Sequence, residues 1–155
     1  MRLGIAAVAL SLLACQPRVG QRLPDFAVTA SDGSELSAAS LRGHVALLDL
    51  WSPGCFACVA ELPRLQHIQD ELGARGVRVV GLYDRGGRKD GRLIGDGMDV
   101  SFPLVRIGGG LMHRLGGWEF PTTLLVDADG RVRQVVHGDP GEERLREMAL
   151  ALLAR

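Results

Sequence analysis

The run Val45-Ala-Leu-Leu-Asp-Leu-Trp51 constrains the fold most. Successive side chains of a strand point to opposite sides, so seven residues with one polar member cannot lie on a sheet with a wet face. Such a strand has to be covered on both sides. A second run, Val77-Arg-Val-Val-Gly-Leu-Tyr83, reads the same way. Between the two, Cys58, Leu62, Leu65, Ile68 and Leu72 recur at helical spacing and mark one face of a helix from Cys55 to about Leu72. Pro63 lies inside it, removes a backbone donor and predicts a kink one turn after Cys58. Gly73 and Gly76 bracket the exit.

The other elements fall around this unit. Leu23 to Ala30 followed by Ser-Asp-Gly-Ser reads as a strand and a tight turn. Ser37 to Leu41 reads as a short helical turn closed by Gly43. Residues 84 to 101 carry five glycines and little periodicity, which predicts a loop with room for a short helix. A brief helix is expected over Leu111–Leu115. Thr122–Val126, Asp127-Ala-Asp-Gly130 and Arg131–Val136 read as a hairpin with one wet face on its second arm. Asp139 is the expected N-cap of a last helix, with Pro140 at its first position and Glu142 at capping-box spacing. Leu145, Met148, Ala149 and Leu152 give that helix its apolar stripe. The order of elements describes an α/β domain, a central mixed β-sheet flanked by helices, with an N-terminal hairpin extension. At 155 residues and 46% hydrophobic, the chain suits one domain with a real core.

The first fifteen residues, MRLGIAAVALSLLAC, stand apart. The apolar run Leu3–Leu13 is too short for a hydrocarbon core, which needs roughly 20 residues, but fits the apolar region of an export signal. Leu12-Leu-Ala-Cys15 resembles the lipobox of bacterial lipoproteins, which makes Cys15 the expected lipidation site. A plain secretory signal with a chance cysteine is the alternative. The expected organisation is a lipoprotein signal peptide over 1–14, a tether over 15–22 and the folded domain over 23–155. Either reading puts the domain outside the cytoplasm, where a dithiol has to be kept reduced actively, and the lipobox reading places it in the periplasm tethered to a membrane. Acidic and basic residues balance at 18 each, which points away from nucleic acid.

Cys55 and Cys58 follow the turn Ser52-Pro-Gly54 at the start of the long helix. Residues three apart share a helix face, and the unpaired N–H groups of a helix start favour negative charge on the first sulfur. Cys55 is then the exposed nucleophile and Cys58 the buried resolving thiol. A structural zinc site would want four ligands, and His44, His67, His113 and His137 are scattered singly. A c-type haem would need His after Cys58, where Val59 stands. A copper site of two cysteines and a distant histidine stays open as the metal alternative.

Several segments together resemble the thioredoxin-fold oxidoreductases of the membrane-tethered TlpA and ResA group, within the redoxins. They are Leu23-Pro-Asp-Phe26, the Asp-Gly turn, Leu41-Arg-Gly43, Trp51 with Cys55 and Cys58, Glu61-Leu-Pro63, Phe120-Pro-Thr-Thr123 and Asp129-Gly130. The resemblance covers nearly everything from Leu23 onward and implies a thioredoxin-like fold. It also implies a thiol-disulfide oxidoreductase whose only redox group is the Cys55–Cys58 pair, without a metal or other cofactor. Pro121 matches the cis-proline that faces the cysteines in that fold, with Phe120, Thr122, Trp51 and Phe56 as the substrate-binding surround. Asp49 matches a buried aspartate thought to move protons for the resolving thiol, and Glu61 a glutamate near the active site. The alternative for Asp49 is a satisfied polar residue in a strand, and for Glu61 a solvated helix residue. By the same resemblance the partners are disulfide-bearing protein clients, apocytochromes c among them, and a membrane electron-donor protein; a monomer is expected.

The sequence departs from the pattern at Gly54, where the group has Trp, and at Phe56-Ala57, which lacks the common proline beside Cys58. The rival enzyme is a peroxiredoxin-like peroxidase, which shares the Pro-Asp-Phe opening. Its motif wants proline seven residues before the reactive cysteine; Leu48 stands there relative to Cys55.

Overall fold

The computed structural model describes residues 17–30, 33–84 and 88–155. The export signal and Cys15 lie outside the described residues. Five strands form the central sheet in the order β5-β4-β3-β6-β7. The two apolar runs are its neighbours: β3 (Val45–Trp51) pairs parallel with β4 (Val77–Tyr83), and α1 (Phe56–Leu72) connects them. β6 (Thr122–Val126) runs antiparallel on the other side of β3, with β7 (Val132–His137) beyond it. A two-stranded hairpin, β1 (Ala27–Thr29) and β2 (Glu35–Ser37), precedes the sheet.

Every residue of β3 is buried, as its composition requires. Val45, Leu47 and Trp51 point to one face, where α1 supplies Cys58, Leu62, Leu65, Ile68 and Leu72 and α4 (Glu142–Leu153) supplies Leu145, Ala149 and Leu152. Ala46, Leu48 and Leu50 point to the other, under Leu23, Phe26, Leu36, Leu41 and Met112 of α3 (Gly109–Arg114). Asp49, by alternation, belongs to the α1 face. The mixed sheet flanked by helices and the N-terminal hairpin are thus as expected.

Local differences have physical reasons. The first strand narrows to β1, while residues 20–23 pair with the start of β7: the Gly20 amide donates to the Val132 carbonyl (2.7 Å) and the Leu23 amide to the Gly130 carbonyl (2.9 Å). The helical turn expected over Ser37–Leu41 is instead the end of β2 and a run of turns, held by reciprocal bonds between Ser37 and Ser40 and closed by Gly43 at φ +84°. Glycine is the one residue that enters that region at no steric cost. The glycine-rich region contains α2 (Arg88–Gly97), ten residues long, and β5 (Leu104–Arg106) pairs with the end of β4. The last helix starts later than Asp139 predicts. The Asp139 carboxylate accepts from the Gly141 amide (2.8 Å) in a local turn, and Gly141 at φ +85° forms the cap. Pro63 sits within a helix that runs unbroken through it.

Candidate active site

β3 ends at Trp51, and the Cys55 amide donates to the Ser52 carbonyl (2.9 Å), closing the Ser-Pro-Gly turn. That turn delivers Cys55 as the N-cap of α1. Its Sγ accepts from the Cys58 amide at 3.2 Å, so a backbone N–H of the helix start is aimed at the first sulfur. The two cysteines form a disulfide, with Cα atoms 5.3 Å apart. Cys55 is partly exposed and Cys58 wholly buried, the asymmetry expected of an attacking and a resolving thiol.

Opposite the sulfurs, the Phe120–Pro121 peptide bond is cis, and the Phe120 carbonyl oxygen lies 3.9 Å from Cys55 Sγ. Thr122 fixes this segment: its buried hydroxyl donates to the Glu119 carbonyl (2.8 Å) and lies 3.1 Å from His137 Nδ1. The Gly138 amide donates to the Pro121 carbonyl (2.8 Å) from the end of β7. Thr122 therefore braces the segment from inside. Trp51 is also internal, fully buried, with its ring centroid 5.1 Å from that of Tyr83. Phe56 is the opposite case, 90% exposed between the cysteines. Phe120 is half-buried.

Asp49 and Glu61 are both fully buried, and none of their four carboxylate oxygens has a hydrogen-bond partner. Asp49 stands opposite Thr123 in the β3–β6 register, and the Thr123 hydroxyl is likewise unpartnered. Glu61 lies one turn beyond Cys58 on α1, on the face that packs against β3. Burial raises the Glu61 carboxyl from 4.5 to about 7, with the charge of Asp139 adding and that of Arg64 opposing. Burial also holds Asp49 well above the ordinary carboxylate range, and the Glu61 and Asp139 charges push it further. Desolvation is expensive for an ionised carboxylate, so such groups stay neutral until pH rises well past their usual range. Glu61 is therefore no solvated helix residue, and Asp49 no satisfied strand residue. The site holds two buried, unpartnered carboxyls on the same side of the sheet as the buried Cys58.

Residues 19–135 match the sequence model of the AhpC/TSA family, three quarters of the chain. The chain belongs to the AhpC/TSA family. Among curated relatives, the thiol-disulfide oxidoreductase ResA of Bacillus thuringiensis subsp. konkukian is 26% identical over 130 residues, covering 83% of this chain and 75% of the relative. A candidate thiol:disulfide interchange protein DsbE of Chlorobium tepidum superposes with a TM-score of 0.80 at 27% identity, over 88% of this chain and 99% of that one. The exposed lipoprotein thioredoxin Etrx1 of Streptococcus pneumoniae shares the fold at a TM-score of 0.73 and 22% identity, over 83% and 100%. The thioredoxin-like fold and the oxidoreductase class expected from the resemblance are thereby met.

Sequence reasoning missed two features of this site. Trp118, two residues before Phe120, is 54% exposed and packs edge-on against His113 at 3.6 Å between centroids. Arg64 and Asp139, 75 residues apart, form an ion pair beside Glu61. No local pattern marks the ion pair, because it depends on how the turn after β7 returns to α1, whereas the Trp118–His113 contact is made between α3 and the short connection that leads to β6. Among the described residues no cluster of three or more metal-ligating side chains occurs, and no helix is long and apolar enough to cross a membrane.

Proposed function

We propose that the protein reduces disulfides of extracytoplasmic client proteins by dithiol exchange, in the periplasm and tethered to a membrane by lipid on Cys15. The observation that carries the reading is Cys55 Sγ, capped by the Cys58 amide at 3.2 Å and 3.9 Å from the Phe120 carbonyl, above a buried Cys58 and two buried carboxyls.

In the forward cycle the Cys55 thiolate attacks one sulfur of a client disulfide. The bond between the client sulfurs breaks, the Cys55–client bond forms, and the leaving client thiolate takes a proton from water. Cys58 then gives its proton to an ionised Glu61 or Asp49, and its thiolate attacks Cys55 Sγ. The second client thiolate leaves, so the client gains two electrons and the pair becomes the disulfide seen here. A carboxyl near 7 is suited to this transfer, since both of its forms are populated at neutral pH. A dithiol of a membrane electron-donor protein returns the pair to the reduced state. The apocytochromes c, whose cysteines have to be reduced before haem attachment, are the proposed clients. The exposed Phe56 ring and the Phe120 backbone receive the client segment.

The tether geometry supports this placement. Residues 20–23 run antiparallel along the start of β7, and Pro17 reaches a groove of about 240 Å³ beside Gly116, Trp118 and His137. Pro17 therefore lies on the Phe120–Pro121 side of the sheet. A lipid on Cys15, two residues earlier, would hold the disulfide end toward the membrane, where an integral donor operates.

Family membership favours a second reading, a peroxidase. Leu48 in place of the motif proline, and a Cys55 already paired with a neighbouring Cys58, count against it. Insulin-disulfide reduction by the domain, with Cys55→Ser and Cys58→Ser controls, tests the proposal. Turnover abolished by either substitution supports it. Peroxide consumption without insulin turnover would establish the peroxidase, and stoichiometric Cu(I) binding without either activity a metallochaperone.

A further inference from the structure

The turn between β7 and α4 places a third carboxylate next to the buried pair. One oxygen of Asp139 accepts from the Gly141 amide at 2.8 Å, and the other pairs with the Arg64 guanidinium. Arg64 stands three residues after Glu61 on α1, close enough for side chains to meet. Asp139 directly follows Gly138, whose amide holds the Pro121 carbonyl. The pair thus joins the helix beneath the disulfide to the segment that faces it. The Asp139 side chain is 22% exposed and that of Arg64 41%, so neither charge is fully screened by water.

We propose that Arg64 and Asp139 are positioning residues whose opposed charges set the pH window in which Cys58 passes its proton to the Glu61–Asp49 pair. The inference rests on the dithiol cycle proposed above. The two members of the ion pair act on Glu61 with opposite sign: the Asp139 charge raises its carboxyl, and the Arg64 charge lowers it. Asp139 also raises Asp49. Other charged groups near this face are engaged elsewhere. His67, further along α1, lies 3.1 Å from Glu142 of α4, and Glu142 also pairs with Arg146. From β3 the facing group is Asp49 itself, and from β7 His137 contacts Thr122 on the cis-proline side. Burial raises both carboxyls, and Arg64 and Asp139 are the charges outside the buried pair that adjust where Glu61 titrates.

A brace and an electrostatic control make different predictions from the same broken bond. Asp139→Asn leaves Arg64 without its counter-charge, so Glu61 should titrate lower. Arg64→Gln leaves Asp139 without its own, so Glu61 should titrate higher. Loss of a mere structural tie would move both variants the same way. The test is carbon NMR of the Glu61 side-chain carboxyl across pH in the oxidised protein, with the pH profile of insulin reduction measured beside it. The expected result is displacement of the titration midpoint by about one pH unit in opposite directions, with the profiles following. The double variant should return close to the parent. Shifts of equal sign, or none, overturn the proposal. Failure of the parent protein to reduce insulin would instead overturn the dithiol cycle, while the NMR titration still decides the charge arrangement.

Discussion

Replacing Glu61 by glutamine keeps the shape of a buried side chain and removes its titration. In the native protein the carboxyl sits at about 7 against an ordinary 4.5. The folded state therefore holds a proton that the unfolded chain releases, and stability falls as pH rises between those two values. One pH unit of displacement is worth about 1.4 kcal/mol, so the full span is on the order of 3 kcal/mol, of which about 2.5 develops between about pH 5 and pH 8. The sign is fixed: the contribution is present below 4.5 and lost on passing 7. Loss of the Glu61 charge also relieves Asp49 at high pH, which adds in the same direction. Guanidinium unfolding of the oxidised parent and of Glu61→Gln at the two pH values measures the effect. The variant should gain on the parent by about 2 to 3 kcal/mol on going to the higher pH, whatever constant cost the amide imposes at both. A gap that stays constant within about 0.5 kcal/mol would refute the claim that Glu61 is buried and neutral.

Cys58→Ser leaves Cys55 able to attack but nothing to resolve it, so a client mixed disulfide should accumulate and be seen on non-reducing gels; Cys55→Ser should accumulate none. Phe56→Ala removes a ring that is 90% exposed, so stability should change by less than about 0.5 kcal/mol. Turnover of protein disulfides should nevertheless fall about fivefold, with small disulfides unaffected, as competition kinetics would show. Gly81→Ala puts a methyl group 2.5 Å from Leu104 Cδ2 and 2.9 Å from Trp51 Nε1, beneath the site. A thermal or denaturant melt should register a loss of about 1 to 3 kcal/mol from overpacking.

The sheet was legible because burial on both faces leaves few alternatives for VALLDLW and VRVVGLY, and the helix between them declares its stripe. Cys55 and Cys58 were legible by their spacing at a helix start, Glu61 only through the family resemblance, and Asp49 for a reason related to the sheet. A carboxylate in an apolar strand has no cheap structural explanation. Element ends were less readable. Asp139 carries the chemistry of a helix cap, but the same carboxylate also turns back on Gly141 and reaches Arg64, and those bonds decided where α4 begins. The ten residues of α2 carry three glycines, which masked their helical character, and β5 is three residues long and defined only by its neighbour. The resemblance placed Trp51 in the substrate-binding surround, whereas strand alternation points it at Tyr83 in the core.

The central claim is that the two sulfurs are chemically unequal, one presented at a helix start and one enclosed. Rapid, sub-stoichiometric alkylation of the reduced protein near neutral pH, followed by peptide mapping, tests it directly. Modification should fall almost wholly on Cys55, faster than on a free cysteine in a peptide. Equal labelling of both residues, preferential labelling of Cys58, or a Cys55 no faster than the peptide thiol would contradict the account.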